Sequence, residues 1–344
     1  MPLIFTGFEE VNPSLSIPSQ ILELELINTP SISVVAGRNN EGQALRTTNG
    51  SYIQCRLPTQ SSKRAVEIGA AFKYTNETSN NVLIQVCHAT EPTLSTDHEA
   101  QPSAHVAVIY IKDGYLCVAY KGSNKQLIKL TENEYTYVEI RFYFCKYADV
   151  YAISSAIFVN GLNVLDMGRI ESSSSIYDTV VYFAAASGDM QIDIDHLYMF
   201  TDDSNLKNQY LPILASGKIS TLALSTVSNT FAVTENNTDV ALALSDNSDD
   251  TYISSTLPAD AVLSVNDSNI SNVYALKMAT RGKSETTGVT VLSLEDSNGK
   301  DILRENAVAF TRGLSSYSFP AEVSTNSKTT ADKINSGALL RIKT

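Results

Sequence analysis

The sequence predicts an all-β protein built of two β-sandwich, jelly-roll-like domains in tandem. Apolar side chains recur at every second position in run after run of the 344 residues, which is the period of a half-buried strand. Several runs are joined by Asp-Gly or Asn-Gly, the strongest short hairpin signal. After Phe200 the alternation gives way to Thr, Asp, Ser and Asn before strand patterns resume.

Taken in order, short strands are predicted at 2–6, 51–56, 66–73 and 81–88. The run AHVAVIYI, 104–111, is apolar on both faces and reads as an inner strand. Asp113-Gly114 turns the chain into YLCVAY, 115–120. In YTYVEIRFYF, 135–144, one face carries Thr136, Val138, Ile140, Phe142 and Phe144; the other carries Tyr135, Tyr137, Glu139, Arg141 and Tyr143. The stretch 155–167 repeats the hairpin device with Asn160-Gly161, and strands follow at 179–185 and 191–200. No long stripe of helical period precedes position 200. The first domain is therefore set at 1–200, a connector at 201–225, and a smaller sandwich at 226–344. Its strands are predicted at 271–280, 288–296, 301–310, 315–320 and 338–344, with a turn at 297–300 and one helical turn at 329–335 closed by Gly337.

Composition narrows the function. With 25 Lys and Arg against 37 Asp and Glu, the net charge is −12. Nucleic-acid backbone and anionic membrane surfaces call for a basic footprint, so neither is an expected partner. No apolar run reaches the ~18 residues of a membrane helix, and the first residues lack the pattern of a signal peptide. The sequons at Asn49, Asn76, Asn236, Asn266 and Asn269 then read as products of an Asn- and Ser-rich composition. Cys55, Cys87, Cys117 and Cys145 lie in strand-like runs without CxxC spacing, which predicts buried reduced thiols.

An ordered set of phrases carries a resemblance. It runs Phe5-Thr6-Gly7-Phe8-Glu9, then GRNNEGQALR (37–46), TNGSYIQCRLP (48–58), an apolar strand ending Ala71-Phe72-Lys73, DGYLCVAY, YVEIRFYF, a Val-Asn-Gly turn, and Ile-Asp-His at the close of DID-H. Further on come Ser248-Asp249-Asp250-Thr251-Tyr252-Ile253-Ser254-Ser255 and the terminal ALLRIKT. In this order the phrases resemble the concanavalin-like, laminin-G-like jelly-roll module of tailed-phage virion proteins, over nearly the whole chain. The resemblance implies a particle component in the tail, baseplate, fibre, collar or capsid decoration, assembled in a host cytoplasm. Its partners would be other virion proteins and copies of itself, with a host-surface glycan as the alternative ligand. Two features depart from the family: the chain has no Trp, which removes a common sugar-stacking platform, and His196 stands where the family carries a second Asp.

The acidic stretch DIDHLYMFTDD, 193–203, is the first candidate site. On a regular strand Asp193 and Asp195 share one face and His196 lies on the other. Two readings stand: solvated edge groups, or a Ca²⁺ site using Asp193 or Asp195 with loop oxygens, since calcium takes six to eight oxygens. DNSDD, 246–250, reads as an Asx-rich turn or a second oxygen cluster. Beyond calcium no cofactor is expected. Tyr135, Tyr137 and Tyr143 on one polar face form a candidate interaction surface, able to anchor a protein or stack on a sugar. Glycosidic chemistry needs two carboxyls across a cleft, and Glu67, Glu139, Asp166 and Asp193 all lie in strand-like runs. However, no GxSxG phrase is present, and His88, His98, His105 and His196 sit in unrelated contexts. The sequence expectation is that the chain is not an enzyme.

Overall fold

A computed structural model describes residues 2–8, 24–57, 63–78, 81–89, 105–120, 122–147, 150–172, 178–202, 221–234, 239–245, 250–266, 269–273, 275–285, 288–312, 315–322 and 327–344, together with Val11, Ile17, Thr93, Leu94 and Ile219. The chain divides into two compact units, Met1–Glu9 with Ser16–Ile219, and Glu10–Leu15 with Ser220–Thr344.

The first unit contains β1 (Pro2–Thr6), β2 (Glu25–Ile27), β3 (Ile32–Ala36), β4 (Gln43–Thr48), β5 (Tyr52–Leu57), β6 (Lys63–Thr75), β7 (Val82–Ala89), β8 (His105–Lys112), β9 (Tyr115–Tyr120), β10 (Ser123–Lys129), β11 (Thr136–Tyr147), β12 (Val150–Val159), β13 (Leu162–Ser172), β14 (Asp178–Ala185) and β15 (Gln191–Asp202). One sheet runs β13-β12-β11-β6-β15-β4-β3, with β1 added on β15; the other runs β10-β9-β8-β7-β14-β5-β2. Chain-distant strands lie side by side in both, as in a jelly roll. The alternation places the core: Val138, Ile140 and Phe142 of β11 are fully buried beside Val66, Ile68 and Ala70 of β6.

The two hairpin turns form as expected. Lys112 pairs with Tyr115 across Asp113 (φ 53°) and Gly114 (φ 72°). Val159 pairs with Leu162 across Asn160 (φ 48°) and Gly161 (φ 80°). Positive φ at both central residues is the demand of a type I′ turn, which Asn, Asp and Gly meet at least cost. A Cβ at Gly114 would find open space, its nearest neighbour being Tyr74 Oη at 4.0 Å. Gly114→Val is therefore expected to cost ~1–2 kcal/mol through backbone strain alone, read as a lower urea midpoint.

The second unit contains β16 (Leu224–Asn229), β17 (Ala232–Val233), α1 (Val240–Ser245), β18 (Ile253–Ser254), β19 (Asp260–Val265), β20 (Ala275–Gly282), β21 (Val289–Glu295), β22 (Asp301–Ala309), β23 (Ser315–Glu322), α2 (Ser327–Asn335) and β24 (Leu339–Lys343). A sheet of order β16-β19-β24-β21-β22 is accompanied by the two-stranded sheet β20-β23 and the short pair β17-β18. Leu263, Leu292, Val308 and Ile342 from the sheet meet Met278, Tyr317 and Phe319 from the β20-β23 pair and Phe310, just past the end of β22. Ala331 and Ile334 of α2 pack in a second cluster with Leu294 and Leu303. The predicted helical turn is thus α2, ended by Gly337 at φ 99°. Helix α1 departs from the expectation. Asp239 caps it, accepting the Ala241 N–H at 2.8 Å, and such a cap supports a helix even on a short Ala- and Leu-rich run.

Candidate functional site

The outer face of the long sheet gathers most of the chemistry-bearing side chains of the first unit. Strands β11, β6 and β15 lie adjacent, so their residues align in rungs. Arg141, Glu67 and Phe200 form one rung; Glu139, Gly69 and Tyr198 the next; Tyr137, Ala71 and Asp195 the third. Asp193 follows opposite Lys73, with Arg46 of β4 on its other side.

A bulge in β15 makes this alignment possible. Asp195 pairs with Ala71 and Tyr198 with Gly69, so three residues of β15 span two of β6. The extra residue inverts the phase of the strand. Before it Ile192 and Ile194 point inward; after it Leu197 and Met199 do, and all four are fully buried. His196 sits at the inversion with φ 48°, a left-handed conformation in which His is enriched. The strict two-face separation expected for DIDH is therefore corrected: His196 Nε2 lies 3.7 Å from Asp195 Oδ1, because the bulge re-aims it.

Asp195 holds the bulge and a loop at once. Its Oδ1 accepts the His196 N–H at 2.6 Å, and its Oδ2 accepts the Arg38 N–H at 2.7 Å. Burial pushes its carboxyl up to about 6 against the pull of those two N–H groups. Arg38 also lays its guanidinium 5.9 Å from the Tyr137 ring centre, and the Tyr137 hydroxyl donates to the His196 carbonyl at 3.2 Å. Asp193 is engaged differently. The Arg46 guanidinium donates to both its oxygens, at 2.6 and 2.9 Å, and Lys73 Nζ stands 2.8 Å away. The two cations occupy the space beside Asp193 in which a divalent ion would need further oxygens. Among the described residues no group of three or more His, Cys, Asp or Glu side chains is arranged to hold a metal.

At the centre, the Tyr198 ring lies over Gly69. A Cβ on Gly69 would stand 2.4 Å from Tyr198 Cε1 and 2.9 Å from Glu139 Cγ. The Tyr198 hydroxyl donates to Glu139 Oε1 at 2.5 Å and lies 3.3 Å from Glu67 Oε1. Arg141 donates to Glu67 Oε2 from Nε at 3.0 Å and from Nη2 at 2.8 Å. Burial pushes Glu67 up to about 8, with the neighbouring Arg141 guanidinium pulling the other way. Burial likewise holds both Tyr137 and Tyr198 well above the usual phenol range. These side chains are closed off: Glu67 and Glu139 are 0% exposed, and Tyr137, Asp193, Asp195 and Tyr198 are 1% exposed.

Of the three tyrosines expected to form an interaction surface, only the place of Tyr137 is corrected. Tyr137 is buried against Tyr198, with ring centres 6.4 Å apart, and presents nothing to solvent. Tyr135 and Tyr143 are half-buried. Lys73 Nζ stands 4.9 Å from the Tyr135 ring centre. Of the carboxylates considered for paired chemistry, Glu67 and Glu139 are brought together by Tyr198. Asp166 lies exposed on β13, hydrogen bonded to Asn163 at 3.1 Å. The role of Tyr198 was invisible to the search for paired carboxyls; the lone glycine in VEIGAAF was its signal, since glycine inside a strand marks close approach by a neighbour. Cys55, Cys87 and Cys117 are buried thiols. Residues 246–249 of DNSDD, His98, and the connector from 203 to 218 lie outside the described residues. Among the described residues no helix is long and apolar enough to cross a membrane.

No family model matches the chain, and no curated protein matches it. Solved structures to which it is similar include the metal-free carbohydrate recognition domain of Emp46p (9% identity, TM-score 0.35, covering 58% of this chain and 95% of that one). Another is the alginate lyase vAL-1 from Chlorella virus (8% identity, TM-score 0.36, covering 55% and 97%). A third is peanut lectin (7% identity, TM-score 0.33, covering 58% and 96%). None of these assigns an activity to this chain. One expectation is nevertheless corrected: polysaccharide lyases stand among the similar structures, and the exclusion of enzymes is withdrawn.

Proposed function

We propose that this chain is a structural component of a bacteriophage particle, assembled in a host cytoplasm and acting through contacts with other virion proteins and with copies of itself. The observation that carries the reading is the order of the phrases along the chain, which runs through two compact β units in succession. Rigid sandwiches of this kind present loops and sheet edges for assembly. The second unit offers apolar side chains for such contacts: Val227, Leu242, Leu244, Tyr252, Leu257 and Val289 are all at least 40% exposed.

Light scattering on the purified chain, across a range of concentrations and with or without EDTA, tests this. A closed oligomer whose mass is a multiple of 37.4 kDa and is indifferent to EDTA is expected. A monomer at every concentration contradicts it. A second reading, recognition of a host-surface glycan, is favoured by Tyr135, whose half-buried ring is bordered by Lys73. It predicts glycan-array binding that Tyr135→Ala abolishes.

A further inference from the structure

A phenol has one proton to donate, and the Tyr198 hydroxyl meets two carboxyl oxygens. Its distance to Glu139 Oε1 is 2.5 Å, the length of a strong charge-assisted O–H···O bond, so the Tyr198 proton lies there. The second contact, 3.3 Å to Glu67 Oε1, then has two oxygens facing each other unless Glu67 supplies a hydrogen. Glu67 Oε2 cannot be the protonated atom, because it already accepts both Arg141 N–H groups. Oε1 is the position left for a proton, and it points at Tyr198.

We propose that Glu67 is a neutral carboxylic acid in the folded protein and heads a buried relay in which Glu67 donates to Tyr198 and Tyr198 donates to Glu139, a proton store that empties to solvent on alkalinisation and loosens the centre of the long sheet. Among the described residues, the titratable and charged groups facing Glu67 are Glu139, Arg141 and Tyr137 from β11 and Tyr198 from β15, with Tyr143 hydrogen bonded to Arg141 from the same strand. Burial favours the neutral form, and the like charge of Glu139 adds to it; Arg141 and the Tyr198 hydroxyl oppose both. The balance comes out at about 8 for Glu67 against an ordinary 4.5. A folded-state value above the unfolded one stabilises the fold at low pH. That contribution is complete below the unfolded value of 4.5 and is lost as pH rises through about 8. On loss of the proton, Glu67 becomes a carboxylate, the proton goes to water, and the Oε1 lone pairs confront those of Tyr198.

Carboxyl ¹³C NMR on the full chain, labelled at Glu Cδ, reads this directly. One Glu carboxyl is expected to remain protonated at pH 7, to titrate near 8, and to vanish from the spectrum in Glu67→Gln. That variant keeps a donor toward Tyr198 and an acceptor toward Arg141. Its urea midpoint should hold between pH 6 and pH 9, while that of the parent falls. Should Glu67→Gln not fold, Tyr198→Phe takes its place and should displace the same resonance. The proposal is overturned if every Glu carboxyl is ionised by pH 6. It is also overturned if the late-titrating resonance survives Glu67→Gln or is unmoved by Tyr198→Phe, or if parent and Glu67→Gln lose stability in parallel.

Discussion

Gly69→Ala is expected to destabilise the first unit more than any other single-methyl addition on the long sheet, by ~3 kcal/mol. The added Cβ would stand 2.4 Å from Tyr198 Cε1 and 2.7 Å from Cζ, well inside van der Waals contact. Tyr198 has no room to yield. It is 1% exposed, its ring lies 4.9 Å from that of Phe200, and its hydroxyl is anchored on Glu139. Overpacking of this kind costs roughly 1–3 kcal/mol, and loss of the buried hydroxyl's hydrogen bonds adds about 1–3 kcal/mol more. Urea unfolding followed by far-ultraviolet circular dichroism would record a lower midpoint with an unchanged slope. If Gly69→Ala melts with the parent, Tyr198 does not lie over Gly69.

Asp195→Ala is expected to cost ~2–4 kcal/mol. The carboxylate takes two backbone N–H groups that belong to different pieces of chain, Arg38 in the loop between β3 and β4 and His196 in the bulge. Each buried donor left unsatisfied costs about 1–3 kcal/mol. His196 also occupies a left-handed conformation that persists only because its surroundings hold it. The loss should spread from β15 to Tyr137 of β11, whose hydroxyl donates to the His196 carbonyl. Asp195→Asn should recover only part of the loss, since its amide places a donor against one of the two N–H groups. Equal stability for the alanine variant and the parent would show that the bulge is held by other means.

Much of the fold was legible because burial imposes the period. The strand at 135–144 was legible from alternation, and both two-residue hairpins, that within 155–167 included, from the Asp-Gly and Asn-Gly turns. β16 was missed because LSTVSN carries few apolar residues, being an edge strand of its sheet. The bulge at His196 was readable in principle: the apolar phase shifts from Ile192 and Ile194 to Leu197 and Met199, and only an extra residue can shift it. The burial of Tyr137, Glu139 and Arg141 was not readable. Alternation separates the two faces of a strand, yet it does not say what lies over the face that carries charge. The partners of Glu67 depend on which strands are neighbours, and β6, β11 and β15 are far apart in sequence. Nothing local in VEIG or YVEIR announces that they share one tyrosine.

The central claim is that the charged face of the long sheet is closed and holds the first unit together. Amide hydrogen exchange on the intact chain tests it most directly. Slow exchange through 66–72, 137–142 and 192–200, matching the most protected strands of the other sheet, is the predicted result, since these strands are central and their side chains are shielded. Rapid exchange there, alongside slow exchange in β8 and β9, would contradict it and reveal a face that opens to solvent as a ligand cleft would.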